Sequence, residues 1–171
     1  MFATTVTTLT RRWPLALAAL GLVAAALWAP ARVSAQQSPP TTVEGTLVFP
    51  DKDNPSICAF PVRIDFHGKG SVIQLPNGTR IATIITSPTL TATVTNLATG
   101  EAVHLNIPGP TQTLATGETV FLGPALVIRS PAFGDTETAL VYVAGRYTFL
   151  PGRTPAFSGT GQLIDVCALL A

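Results

Sequence analysis

Alternation of apolar and polar residues is the feature that most constrains how this chain folds. Between residues 62 and 67, the apolar side chains of Val62, Ile64 and Phe66 point one way and three polar side chains point the other. Segments 89–96 and 101–108 repeat the scheme, with threonines on the polar side of the first. A period of two is typical of a half-buried β-strand and not of a helix. The sequence therefore predicts strands and almost no helix after residue 42.

Turn signals separate these strands at short intervals. Asn77-Gly78 is the strongest short hairpin signal, and Gly68–Gly70 and Gly123-Pro124 also predict breaks. The sequence LATGE occurs twice, at Leu97–Glu101 and Leu114–Glu118, and its glycine suits the positive φ of a tight loop. About nine or ten strands with such spacing predict an all-β fold, an antiparallel β-barrel or β-sandwich.

Two later segments stand apart from the half-buried strands. Ala139 to Leu150 is apolar on both faces, which predicts a central strand covered on each side. The last strand is predicted to run from about Ser158 to Cys167. It contains two glycines, which weaken a strand because they pack nothing.

The N-terminus has the layout of a secretory signal peptide. Arg11 and Arg12 precede an apolar run of 16 residues, Pro14–Ala29, which is shorter than the about 20 residues that span a bilayer. Small residues place the cut after Ala35, with Ala29–Ala31 as a second candidate, and an uncleaved anchor is the alternative. The predicted organisation is a signal-peptide helix at 1–35, a flexible lead-in at 36–42 and a single β domain at 43–171, secreted to the extracellular side.

Charge excludes some classes of partner. The chain has ten basic and nine acidic residues, and removal of 1–35 takes three arginines and leaves a net charge of −2. Such a domain has no basic patch for nucleic acid or anionic lipid. We expect no nucleic acid, no stable membrane anchor after cleavage, and a small ligand or an envelope partner instead.

Cys58 and Cys167 are the only cysteines. An even count in an exported protein predicts a disulfide bond between them, while two separate buried thiols are the alternative. Cys58 is expected to open the second strand and Cys167 to end the last. In antiparallel neighbours the start of one strand lies opposite the end of the other, so the bond would hold the terminal strand in place.

The search for catalytic chemistry gives one weak polar cluster. Arg63, Asp65 and His67 share a strand face, and His104 lies on the outward face of another strand. A carboxylate near a histidine could orient it for acid–base work, and the two histidines with Asp65 could bind a metal if their strands were neighbours. An ordinary solvated face explains the same pattern and is favoured, because no nucleophile or third histidine accompanies the set. We expect no catalytic residue, metal or cofactor.

Three stretches resemble a known group of proteins. Cys58–Val62, Asn106–Pro110 and the ending Ser158–Cys167, SGTGQLIDVC, are similar to those of small secreted actinobacterial-type proteins of unknown function. The resemblance covers most of the chain after the signal, and its ending is the most specific part. It implies export, a β domain and paired cysteines, and it implies no particular activity.

Two kinds of function agree with these observations. The favoured one is a non-enzymatic, secreted β domain that binds a partner or a small apolar ligand, or serves in the envelope. The alternative is a β-barrel enzyme, cyclase- or isomerase-like, that uses an internal cavity. A pocket lined by Asp65, His67 or His104 would favour the enzyme, and a filled interior would favour the binding module.

Overall fold

The structure, a computed structural model, describes residues 34–50, 55–76 and 78–171. Strands dominate this part of the chain: β1 (Gln36–Gln37), β2 (Thr41–Phe49), β3 (Val62–Gln74), β4 (Ile81–Thr86), β5 (Thr91–Asn96), β6 (Ala102–Asn106), β7 (Thr111–Leu114), β8 (Thr119–Leu122), β9 (Ala125–Arg129), β10 (Ala139–Phe149) and β11 (Phe157–Asp165). The predicted all-β fold is confirmed. The predicted near-absence of helix is confirmed as well: the described residues contain one short 3-10 turn, at Pro131–Phe133, and one short helix, α1, at Val166–Leu169.

All strand pairs are antiparallel, and the strands form one curled sheet with the shape of a half-barrel. Its main path runs β11–β10–β8–β7–β4–β3–β5–β6, while β1 and β2 also pair with β3, and β9 pairs with β10. The long strand β10 pairs with β9 and β8 on one side and with β11 on the other, and the long strand β3 is shared by two local sheets. One of these, β2–β3–β5–β6, carries the residues of the polar cluster and is called the polar sheet below.

The expected turn at Gly68–Gly70 is wrong, because β3 continues through it without a break. Residues 62–67 of β3 pair with β5, and residues 71–74 pair with β4. At Gly68 an added Cβ would lie 2.6 Å from Cα of Leu90, so only glycine fits. The glycines thus allow β3 to pass from one local sheet to the other. The hairpin expected at Pro76–Gly78 does join β3 to β4, although Asn77 itself lies outside the described residues.

Strand β10 is the central strand that its sequence predicts. Leu140 and Tyr142 face a hydrophobic cluster shared with the inner side of the polar sheet, including Val62 and Ile64. Val141 and Val143, on the opposite face of β10, pack in a second cluster. Because both faces are covered, neither face of this segment needs polar side chains.

The disulfide bond between Cys58 and Cys167 is present, with a Cα–Cα distance of 5.5 Å. The strand geometry expected for it is wrong. Cys58 lies in the irregular segment before β3, Cys167 lies in α1 after β11, and β11 pairs with β10 rather than with β3. The bond therefore ties a loop to the C-terminal helix and does not link two neighbouring strands.

The C-terminal residues close one end of the first hydrophobic cluster. Val166 and Leu170 are buried there. The carboxylate of Asp165 accepts hydrogen bonds from the amides of Cys167 and Ala168, which caps α1. The buried side chain of Asn96 donates to the carbonyl oxygen of Leu170 over 2.8 Å. A polar side chain, a disulfide bond and two apolar anchors thus hold the end of the chain.

Residues 1–33 of the expected signal peptide lie outside the described residues. Residues 34–171 form one compact unit. Within the segment 36–42, expected as a flexible lead-in, β1 pairs with β3, and the amide of Ser38 donates to the carbonyl oxygen of Val72. Strand β2 begins at Thr41, so much of this segment is paired backbone.

Candidate functional site

The four residues of the predicted polar cluster lie on the outer face of the polar sheet. Arg63, Asp65 and His67 alternate along β3 with the buried Val62 and Ile64. Pairing of β3 with β5, and of β5 with β6, puts His104 on the same outer face. The structure therefore brings all four to one surface, and that surface faces solvent.

A row of side chains crosses this surface through Asp65. Thr46, Asp65, Thr93 and His104 lie directly opposite one another on β2, β3, β5 and β6. The hydroxyl of Thr46 donates to Asp65 over 2.7 Å, and Nε of Arg63 donates to the other carboxylate oxygen over 2.9 Å. The Thr46 hydrogen bond, together with the bond and charge of Arg63, lowers the pKa of Asp65.

Each histidine has a different partner. His104 Nδ1 hydrogen-bonds the hydroxyl of Thr93 at 2.9 Å, and His67 Nδ1 lies 3.1 Å from a carboxylate oxygen of Glu44. Strand β5 separates the strands of the two histidines, so the condition for a shared metal site, neighbouring strands, is not met. Among the described residues, no group of three or more potential metal ligands converges.

This arrangement places hydrogen-bonding and charged side chains on a solvated surface. Asp65 accepts hydrogen bonds from Thr46 and Arg63 and not from a histidine, so the expected acid–base pair of a carboxylate and a histidine does not form at Asp65. The side chains of His67 and Glu44 are 76% and 62% exposed, so solvent screens their interaction.

A second surface was not foreseen from the sequence. An open apolar depression of about 210 Å³ is lined by Phe121, Val127, Ile128, Phe133 and Phe149. We call it the Phe133 depression, because Phe133 forms its rim and is 52% exposed. The rings of Phe133 and Phe149 meet edge to face with centroids 6.2 Å apart.

The loop that carries Phe133 is held by a charged network. Arg129 contacts Asp135 at 3.0 Å and Glu137 at 3.2 Å, and the side chain of Asp135 is only 1% exposed. The hydroxyl of Ser130 accepts from the amide of Ala132, and Gly134 closes the 3-10 turn in the left-handed conformation. The aromatic rim is therefore presented on a fixed turn.

The sequence contains part of the information that predicts the turn carrying Phe133. PAFGDTETA reads as loop, and Ser130-Pro131 followed by Gly134 marks the start and end of a short turn. Phe133 lies between Pro131 and Gly134. Its position beside Phe121 and Phe149, however, depends on long-range pairing of β8 and β10 that local pattern does not give.

Comparison of the chain with protein-family models, with curated proteins and with solved structures found no match. Within the described residues, no helix is long and apolar enough to cross a membrane.

Proposed function

We propose that this protein is an exported, non-enzymatic binding module and that the Phe133 depression is its ligand site. The observation that carries the proposal is a half-exposed aromatic ring, Phe133, which is held on a braced turn and lines one depression together with two further aromatic rings. Such a site would take one small aromatic or branched aliphatic group, either of a small ligand or of an envelope component. Its size, about 210 Å³, lies below that of a typical pocket for a whole drug-sized ligand.

The bracing of the turn supports this proposal. Ordering a loop on binding costs free energy, and a loop already held in its bound conformation avoids that cost. Asp135 and Glu137 share the guanidinium of Arg129, whose Cζ also lies 6.0 Å from the ring centroid of Phe157. These contacts fix the turn without using Phe133 itself, which leaves the ring for a partner.

Export is the second part of the proposal. The Cys58–Cys167 bond suits an oxidising compartment, and the N-terminal sequence and the resemblance to small secreted actinobacterial-type proteins point the same way. The mature protein would begin near Gln36. N-terminal sequencing of secreted material tests this, and recovery of an intact Met1 chain from the membrane would contradict it.

The polar cluster favours binding over the alternative of a cavity enzyme. An enzyme of that kind needs titratable groups that converge in a water-poor pocket. Here Asp65, His67 and His104 lie on an outer, solvated face, and the space between β10 and the polar sheet is occupied by buried side chains such as Val62, Ile64 and Leu140.

A titration with indole, followed in amide NMR spectra of the protein, tests the site. We expect shifts at residues around Phe121, Phe133 and Phe149. Phe133→Ser should weaken indole binding by at least about tenfold, which corresponds to about 1.4 kcal/mol. Leu97→Ser is the matched control, because Leu97 is also strongly exposed but lies in a different turn. Equal binding by wild type and Phe133→Ser, or shifts confined to the polar sheet, would contradict the proposed site.

A further inference from the structure

Strand β2 has an unusually apolar surface for the edge of a sheet. In the described part of the chain its only strand neighbour is β3, and eight of its nine residues are exposed. Val43, Leu47 and Val48 are exposed by 37%, 43% and 37%. Edge strands are normally protected by proline, lysine, a bulge or an inward-pointing charge. Strand β2 has none of these, and Glu44, which points outward, is its one charged residue.

The backbone groups that β2 leaves unpaired follow from the register. The amide of Leu97 donates to the carbonyl oxygen of Pro61, so residue 61 and every second residue after it turn their backbone groups toward β5. Residues 62, 64, 66 and 68 of β3 then face β2 and bond to Phe49, Leu47, Gly45 and Val43. The alternate residues of β2 turn their amides and carbonyls outward: Thr42, Glu44, Thr46 and Val48.

We propose that β2 pairs antiparallel with β2 of a second copy of this chain, with Gly45 opposite Gly45. In this register Val43 of each copy lies opposite Leu47 of the other, on the inner face of the sheet. Thr42 lies opposite Val48, and Glu44 opposite Thr46. The surface is self-complementary, as a two-fold symmetric interface requires.

The outward backbone groups fit this register. Thr42, Glu44, Thr46 and Val48 become the hydrogen-bonded pairs, with about eight backbone hydrogen bonds across the two-fold axis. Val43 with Leu47, and Gly45 with Gly45, become the non-hydrogen-bonded pairs, in which side chains come closest. Glycine at the centre allows that approach, and an added Cβ at Gly45 would meet nothing within 4 Å of its own chain.

Other registers are poorer. Because a slip of one residue would turn the apolar side chains to the wrong face, the nearest alternatives slip by two. Either slip puts Gly45 opposite Val43 or Leu47 and leaves part of the strand unpaired. In the proposed register all nine residues pair, and the charged Glu44 lies opposite an uncharged threonine. The interface is one strand wide, so we expect a concentration-dependent dimer rather than an obligate one.

Sedimentation velocity over a concentration series, on protein expressed from the full chain, tests the proposal. The wild type should pass from monomer to dimer, and Leu47→Lys should weaken the association by at least about tenfold, because it buries a charge in the pair. Leu163→Lys, at a residue of β11 that is 45% exposed, is the matched control and should dimerise as the wild type does. A monomer at every concentration, or equal effects of the two lysines, would overturn the proposal.

Cysteine crosslinking tests the register separately. Gly45→Cys should give a covalent dimer on mild oxidation, because directly opposite Cα atoms in a non-hydrogen-bonded pair lie about 4.5 Å apart, within the range of a disulfide bond. Glu44→Cys should not, since residue 44 of the second copy is a diagonal neighbour at about 7–8 Å. Efficient crosslinking at 44 but not at 45 would refute this register. If the amides of residues 42, 44, 46 and 48 are protected from hydrogen exchange in the monomer, another segment of the same chain pairs with β2, and the proposal is wrong.

Discussion

Strands β2 and β11 are both nine residues long, both mainly exposed and both paired to one neighbour in the described part of the chain, yet they are built differently. β11 lies on β10 through glycine contacts, and its end continues into the capped and disulfide-bonded α1. Among the residues that the structure describes, β2 is attached only through β3 and through its last residue, the buried Phe49.

The glycines of β11 explain much of this difference. Gly161 lies opposite Gly145, and an added Cβ at Gly161 would come within 2.3 Å of the carbonyl oxygen of Ala144. Gly159 lies under the ring of Tyr147, which also stacks on Phe157 with centroids 5.2 Å apart. The glycines therefore permit a close strand pair that larger residues would prevent. Of these two strands, β11 is fixed by its own chain, and β2 is the one for which we propose pairing with a second copy.

The largest effect should come from removing the attachment of β11. Cys167→Ser should lower the free energy of unfolding by about 2–5 kcal/mol, because the bond closes a loop of more than a hundred residues. Urea denaturation measures this. The double variant Cys58→Ser with Cys167→Ser should lose about as much as either single variant, since all three lack the same bond. Alkylation of both thiols in unreduced native protein would show that the bond is absent.

Two glycine-to-alanine variants, one on β11 and one on β2, compare these two strands directly. Gly161→Ala should cost about 1–3 kcal/mol, because φ at Gly161 is +133° and the added methyl group meets the backbone of β10. Gly45→Ala on β2 should change stability by no more than about 0.5 kcal/mol, because its Cβ meets nothing. Thermal or urea unfolding of the two variants gives the comparison, and equal losses would show that close approach does not distinguish the strands.

The smallest effect concerns the side-chain tie between β2 and β3. Because Thr46 and Arg63 lower the pKa of Asp65, ionised Asp65 stabilises the fold above its unfolded pKa of about 3.9, and this contribution disappears as pH falls through the lower, folded pKa. Asp65→Asn should therefore lower the urea midpoint slightly at pH 7, and the difference from the wild type should shrink toward pH 3. A difference that grows in acid would contradict the assignment.

Local pattern predicted the strands well where one face is buried. Val103, Leu105 and Ile107 do pack toward the core, as their alternation predicts, and both LATGE turns place their glycine at positive φ. The pairing of Cys58 with Cys167 was also predicted, but from compartment and count rather than from correct geometry. Local rules identify strands and turns because those depend on neighbouring residues.

The features that the sequence did not predict depend on contacts between residues that are far apart in the chain. Gly68–Gly70 reads as a turn, and only the approach of Leu90 and the change of partner strand explain a continuous β3. The four residues of the polar cluster were assigned to outer faces correctly, but strand order alone reveals that β5 separates the histidines. The exposure of β2 could not be predicted for the same reason, because the sequence Val43–Phe49 gives no sign that β3 is its one strand neighbour among the described residues.

Hydrogen exchange at two protein concentrations tests the contrast between the edges most directly. The outward amides of β2, at Thr42, Glu44, Thr46 and Val48, should exchange quickly in dilute protein and slow down as concentration rises. Amides of β11 that bond to β10 should be protected to the same degree at both concentrations. Exchange at β2 that does not respond to concentration, or a concentration response at β11 instead, would contradict the account of one open and one fixed edge.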